Sequence, residues 1–315
     1  MQADVTVRPL GEKDLSEAKR IFHVAFGTFL GLPNAAEFYP DRDYIRTRYV
    51  SNPSAAFGAE VDGELIGSNF VANWGSVGFF GPLTIRPDYW DRGIAKRLLK
   101  PTMQIFEKWR TKHAGLFTFA HSAKHIGLYQ KFGFWPRFLT AIMSVDVARN
   151  ADAQGWARYS ELSEAERAEC LRAAAKLTNA IYGGLDLGSE VRAIAVQGLG
   201  DTVLLWDDSR LAGLALCHCG ADTEAGNDTC YIKFAAVRPG RRAAQLFDRL
   251  LDICESFAAS HRLKRIEAGV NLARQGAYQQ MLARGFRTAF QGVTMHKPNE
   301  PGYSRSGVYV IDDWR

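Results

Sequence analysis

Arg92-Gly93-Ile94-Ala95-Lys96 lies where a β-type run ending in Ile85-Arg86-Pro87 passes through a turn into a helical run, an arrangement that can grip phosphate. Backbone N–H groups at a helix start have no partner within the helix, and the helix dipole favours negative charge there. Gly93 allows close approach of a ligand to the backbone and Ala95 keeps the next position small, while Arg92 and Lys96 add positive charge. A single glycine at a helix start is a weak sign by itself. A second, altered copy of the same stretch sharpens it. Ile85-Arg86-Pro87 returns 152 residues later as Val237-Arg238-Pro239, Arg97-Leu98-Leu99 as Arg249-Leu250-Leu251, and Gly133-Phe134 as Gly285-Phe286. At the glycine loop the second copy reads Gln245-Leu246-Phe247, and Met281 replaces Tyr129. The shared period predicts two copies of one domain. Phe247 would crowd a bound phosphate, so the second copy is read as non-catalytic.

The elements that must position the loop follow from periodicity and turn chemistry. In the first copy a short strand from Val5 precedes a helix from about Asp14, its expected cap, through Phe26. Ala55–Glu60 and Glu64–Phe70 read as a hairpin turning at Asp62-Gly63. A strand over Val77–Ile85, a helix over Ile94–Trp109, a strand over Leu116–Ala120, a helix over Ala123–Phe132 and closing strands over Phe134–Val147 complete it. The second copy repeats the order with helical Leu162–Tyr182, a hairpin over Asp207-Asp208, a strand Tyr231–Val237, a helix Ala244–Ala259, a strand Ile266–Val270, a helix Gln275–Leu282 and closing strands Phe286–His296. The fold class expected is α/β (α+β): two tandem domains, each a mixed, mainly antiparallel sheet flanked by helices. The boundaries are 1–149, 150–298 and a tail 299–315, with Asn150–Gln154 as linker and Val308–Ile311 as a possible edge strand.

Ile85-Arg86-Pro87, five residues, Gly93-Ile94-Ala95, then Leu98-Leu99, followed by Leu128-Tyr129 and Gly133-Phe134, on this strand order, resembles the GNAT acetyltransferase superfamily. The resemblance covers about residues 5–147, and more weakly about 158–296. It implies that acetyl-CoA is the acyl donor, with its pyrophosphate on the backbone N–H groups of Arg92, Gly93, Ile94, Ala95 and Lys96. Leu83, Thr84 and Ile85 would pair with the pantetheine amides, and the Leu83 N–H would polarise the thioester carbonyl. Tyr129 would be the general acid that protonates the departing thiolate. Two positions depart from the family pattern. Trp90 stands where Arg or Gln is common, and Ser122 where Asn is common, though Ser122 can still make a polar contact to pantetheine.

The acceptor must lose a proton on attack. The strand before the glycine turn has no Glu, which leaves His121, at the end of the next strand, since a histidine side chain suits proton transfer near neutral pH, and Glu60 acting through water. His23, Phe26, Phe29, Phe38, Tyr39 and Tyr44, where the family's acceptor approaches, would suit an apolar or aromatic amine. The expected activity is an N-acetyltransferase acting on a small-molecule amine by direct attack. Its rival is a non-catalytic acyl-CoA-binding or interaction protein in which both active sites have decayed. A third reading keeps catalysis with a longer acyl chain or a hydroxyl or thiol acceptor.

Bulk properties set the outer bounds. In 315 residues, 47% hydrophobic and 23% charged content are those of a globular protein with two cores. Residues 1–150 carry 19 Lys+Arg against 14 Asp+Glu, and the remainder 20 against 20, so the whole net charge of +5 sits on the half with the glycine loop. That suits an anionic ligand, whereas no basic block with interleaved aromatics points to nucleic acid. No basic-then-apolar leader and no apolar run approaching ~20 residues is present, which predicts a cytoplasmic protein without membrane contact. All five cysteines lie in the second half without framework spacing. Cys217-His218-Cys219 lacks a second ligand pair, so structural thiols and no metal are expected.

Overall fold

The structure, a computed structural model, describes residues 5–148, 153 and 155–315. The proposed linker Asn150–Gln154 and the 149/150 boundary lie outside the described residues apart from Ala153. The first half comprises β1 (Thr6–Pro9), α1 (Leu15–Phe29), α2 (Tyr44–Ser51), β2 (Ala56–Val61), β3 (Glu64–Trp74), β4 (Val77–Phe80), β5 (Thr84–Ile85), α3 (Ile94–Lys108), β6 (His113–Thr118), α4 (Ala123–Gln130) and β7 (Trp135–Asp146). The second comprises β8 (Trp156–Arg158), α5 (Glu164–Ile181), α6 (Gly188–Gln197), β9 (Gly200–Asp207), β10 (Arg210–Gly220), β11 (Gly226–Val237), α7 (Ala243–Ser260), β12 (Arg265–Asn271), α8 (Gln275–Ala283), β13 (Arg287–Lys297) and β14 (Val310–Ile311).

Local chemistry accounts for most element ends. Asp62 (φ 51°) and Gly63 (φ 82°) are both left-handed, the pair that matches the twist of a two-residue hairpin between β2 and β3. Ser163 and Glu166 form a reciprocal capping box at the start of α5. Asp43 accepts from the Ile45 and Arg46 N–H groups and so starts α2, the second helix that the expected order allowed after α1 without bounds. Asp14 does not cap α1 as expected; its carboxylate instead accepts from the Gly11 N–H at 2.8 Å and from Arg8 at 2.6 Å.

The expected single strand over Val77–Ile85 is two. β4 pairs in parallel with β6 from Val77↔His113 to Phe79↔Gly115, then the chain breaks away at Gly81-Pro82. Proline has no N–H to offer a ladder. β5 keeps only β3 as a neighbour, through Gly67↔Ile85 and Ser68↔Thr84. The sheet therefore splays open between β5 and β6. The second half splays likewise, because β11 pairs with β12 only from Thr229↔Arg265 to Ile232↔Ala268.

All the main strands join one path, β1-β2-β3-β4-β6-β13-β7-β12-β11-β10-β9-β8. Each half's closing segment is one long strand lying beside the other half's: β13 pairs with β6, β7 with β12, and β7 with β13. The two sheets are thus completed reciprocally. Val310–Ile311 forms a strand, as expected, but inside the second splay against β11 and not on an outer edge.

Buried charges gather at the junction. Arg42 holds Glu267 through two bonds of 2.9 and 3.2 Å, Arg48 meets Glu224 at 3.1 Å, and Lys233 reaches Glu224 at 3.0 Å and Glu190 at 2.7 Å. Positive residues of α2 and its approach thereby lock onto acids of the second half. Such pairs add little net stability over apolar packing, but removing one partner strands the other in the interior.

Candidate active site

A cavity of about 780 Å³ opens where β5 and β6 diverge. Its first wall is the glycine turn. Gly93 holds φ 76°, a left-handed conformation that costs a residue with a Cβ, and stands as the N-cap of α3. No side chain caps this helix, so the first amides of Ile94, Ala95 and Lys96 remain available. Tyr89 lies between Arg86 and Arg92, whose guanidinium carbons stand 4.6 and 4.8 Å from its ring centre. Arg92 is thus held beside the turn. Lys124, on α4, closes the other flank through a 2.6 Å pair with Asp91.

The second wall is the free edge of β5. Thr84 faces Ser68, and the Arg86 N–H donates to the Ile66 carbonyl at 2.8 Å. Alternation along an antiparallel pair then turns the amides of Leu83 and Ile85 into the splay. The Ile85 carbonyl already accepts from the Trp90 indole N–H at 2.7 Å. Trp90, at the position where Arg or Gln was expected, is thus engaged in an internal bond.

Tyr129, on α4, lines the same cavity and is 7% exposed, its ring edge-on to Phe80 with centres 5.7 Å apart. Burial pushes its phenol above the ordinary tyrosine value, which keeps it protonated at neutral pH. Ser122 caps α4 by accepting from the His125 N–H at 3.4 Å.

The structure does not bring the two candidate bases into this group. His121 is exposed in the turn after β6, beside Phe29 and Phe119, and does not line the cavity. Glu60 is bound to Arg8 at 2.7 Å on β2 and is not a cavity residue either. Among the described residues, the histidine that does line the cavity is His125, whose pKa burial lowers. Of the expected acceptor residues, Phe26, Phe29, Phe38, Tyr39 and Tyr44 line the far end of the cavity; His23 instead bonds the Phe38 carbonyl at 2.6 Å.

Sequence reasoning allowed the second half a wall of the acceptor site but named none of its residues. Glu267, Ala289, Phe290, Trp314 and Arg315, all in the second half, face the first half's cavity. They arrive there because β13 and β12 join the first half's sheet path, and no local pattern announces that. The two acids on the lining are both paired, Asp91 with Lys124 and Glu267 with Arg42 and Arg315. These pairs hold the Glu267 carboxyl down at about 2. No group of His, Cys, Asp and Glu among the described residues is arranged to hold a metal, and no helix among them is long and apolar enough to cross a membrane.

Residues 19–134 match the acetyltransferase (GNAT) family. Over nearly its whole length the chain also shares its fold with solved acetyltransferase-type structures, a tandem GNAT protein among them. Its fold is similar to that of a Pyrococcus horikoshii protein described as an acetyltransferase, at 13% identity, TM-score 0.70, covering 98% of this chain and 95% of that one. A GCN5-related N-acetyltransferase of Sphaerobacter thermophilus aligns at 14% identity and TM-score 0.60, over 93% and 95% of the two chains. A tandem GNAT protein from the clavulanic acid biosynthesis pathway aligns at 13% identity and TM-score 0.56, over 93% and 98%. No curated protein matches the chain by sequence.

Proposed function

We propose that the first half binds acetyl-CoA and transfers its acetyl group to a primary amine with an apolar or aromatic body. The carrying observation is that one cavity joins the uncapped helix start at Gly93, the free edge of β5, Tyr129 and an aromatic chamber. The open space around Gly93, where an added Cβ would meet nothing within 4 Å, fits a ligand lying on the turn.

Pyrophosphate would rest on the Arg92–Lys96 amides, and pantetheine would extend the sheet along β5. The amine nitrogen attacks the thioester carbon from the aromatic chamber. A C–N bond forms, and the Leu83 N–H takes up charge on the carbonyl oxygen. The C–S bond then breaks, Tyr129 supplies the proton to the leaving sulfur, and the second proton shed by the acceptor nitrogen restores the phenol. With no unpaired carboxylate on the described lining, the ammonium proton leaves to water before attack, so the rate should climb with pH toward the acceptor's own pKa.

Titrating acetyl-CoA into the protein and following free-thiol release against an amine panel, with Tyr129→Phe as control, tests this reading. Binding with turnover that Tyr129→Phe suppresses supports it. Tight binding with no turnover on any amine would make the first half an acyl-CoA-binding module.

A further inference from the structure

The second splay is already filled, and by the chain itself. Ala235 and Ala236 of β11 stand one 152-residue period after Leu83 and Thr84. They pair with Ile311 and Val310 of β14, and the Val237 N–H donates to the Tyr309 carbonyl at 3.3 Å. Arg274, one period after Ser122, donates to the Val310 carbonyl at 2.9 Å and pairs with Asp312 at 2.5 Å. Tyr309 packs against Phe247 and against the backbone of Gly276 at the start of α8. The tail thus occupies in the second half the groove that the first half leaves open beside β5.

That anchorage delivers the next residues to the first half. Trp314 holds φ 54°, uncommon for a residue with a bulky side chain. Its indole donates to the Tyr303 hydroxyl at 3.1 Å, and Tyr303 in turn bonds Asp312 at 2.5 Å. The ring lies flat on Gly115 of β6, where any Cβ would collide with it at 2.1 Å, and parallel to Phe79 of β4. β4 and β6 supply Phe80, Leu116, Phe117 and Thr118 to the cavity lining, and Trp314 is 3% exposed on the same wall.

We propose that Trp314 is a specificity-determining residue of the first half's acceptor chamber, and that the second half acts as the clamp holding it there through β14. Its indole closes the chamber where the two halves meet, so its size sets how large an apolar body the acceptor carries. This rests on the acyltransferase reading above.

The test uses the full chain with Trp314→Ala and the milder Trp314→Phe, and 4-phenylbutylamine against butylamine as probe acceptors with acetyl-CoA. The ratio of kcat/KM for the two amines should change at least tenfold in Trp314→Ala and by less in Trp314→Phe. Acetyl-CoA affinity should stay within twofold of wild type in both. If Trp314→Ala does not fold, Trp314→Phe decides. If neither amine is turned over, the ratio is read from their binding to the coenzyme A complex, and a wild type that binds neither overturns the proposal. An unchanged ratio, or coenzyme affinity falling in step with it, overturns it too. A wild type that fails to bind acetyl-CoA defeats the underlying reading as well, and is told apart by that one titration.

Discussion

Gly93→Ala isolates the backbone conformation on which the proposed phosphate grip depends. Gly93 holds φ 76°, and an ideal Cβ there would meet nothing within 4 Å, so the substitution brings no clash within the protein. The cost is conformational: a left-handed residue with a Cβ loses roughly 1–2 kcal/mol. Asp91, Arg92 and Gly93 are exposed, and no side chain caps α3. The free loop can therefore escape the strain by leaving the left-handed region. Binding must then restore the conformation, so the same roughly 1–2 kcal/mol appears in affinity as a loss of about 5- to 30-fold. Gly198→Ala is the matched control. Gly198 holds φ 65° with nothing within 4 Å, but its N–H bonds to Ile194 at the end of α6, which pins the strained form in place. There the cost should lower unfolding stability by about 1 kcal/mol and leave coenzyme binding alone. Isothermal titration with acetyl-CoA and urea unfolding read both quantities. Wild-type affinity in Gly93→Ala, or equal weakening in Gly198→Ala, would refute the assignment of the turn.

Three further outcomes are expected. Tyr129→Phe should lower kcat by roughly 10²- to 10⁴-fold, the span of a lost general acid, with acetyl-CoA affinity unchanged; an unaltered kcat in single-turnover thiol release would remove Tyr129 from the mechanism. Glu224→Ala should cost about 3–5 kcal/mol in urea unfolding because Arg48 and Lys233 are left buried without their shared acid; a loss below about 1 kcal/mol, the value of an exposed pair, would show that water reaches the junction. Burial lowers His113 and His218 to about 4 and His296 to about 3, from 6.5. The unfolded chain then takes up protons that the folded one refuses, so stability is complete above pH 6.5 and falls as pH drops from there toward 4, by up to about 1.4 kcal/mol per pH unit for each histidine. Urea midpoints from pH 7 to 5 should show this slope, and His218→Gln should remove about a third of it; a flat profile contradicts the burial of all three.

Much of the candidate site could be read along the chain because its signals are local. Asp62-Gly63 marks a hairpin because both residues tolerate φ above zero. Gly93 marks the helix start for the same reason, and Tyr129 follows on an amphipathic turn of α4. Less legible were α2 and α6, which lack the apolar stripe of α3. Buried Thr47 and Arg48 in α2 and buried Glu190 in α6 face charged partners of other elements, so the usual apolar spacing is absent. The base candidates failed to converge on the cavity for a related reason. A strand end or a hairpin strand places His121 or Glu60 near the site in one dimension, but side-chain direction and the competing Arg8 decide where each points.

The duplicated sequence, taken alone, determined that the chain holds two like units, that one kept a glycine at a helix start and a tyrosine on the following helix, and that the other lost both. These are properties of neighbouring residues, set by backbone conformation and periodicity. Which strand lies beside which was decided only in three dimensions. β7 and β13 stand one period apart and offer similar edges, so either could in principle complete either sheet, and only packing across the junction selects the reciprocal arrangement. The same holds for the tail. Val310–Ile311 is a short apolar run whose place in the second splay depends on an edge of β11 that exists only once β11 and β12 have diverged. Only that closure carries Trp314 and Arg315 to the wall of a cavity in the other half.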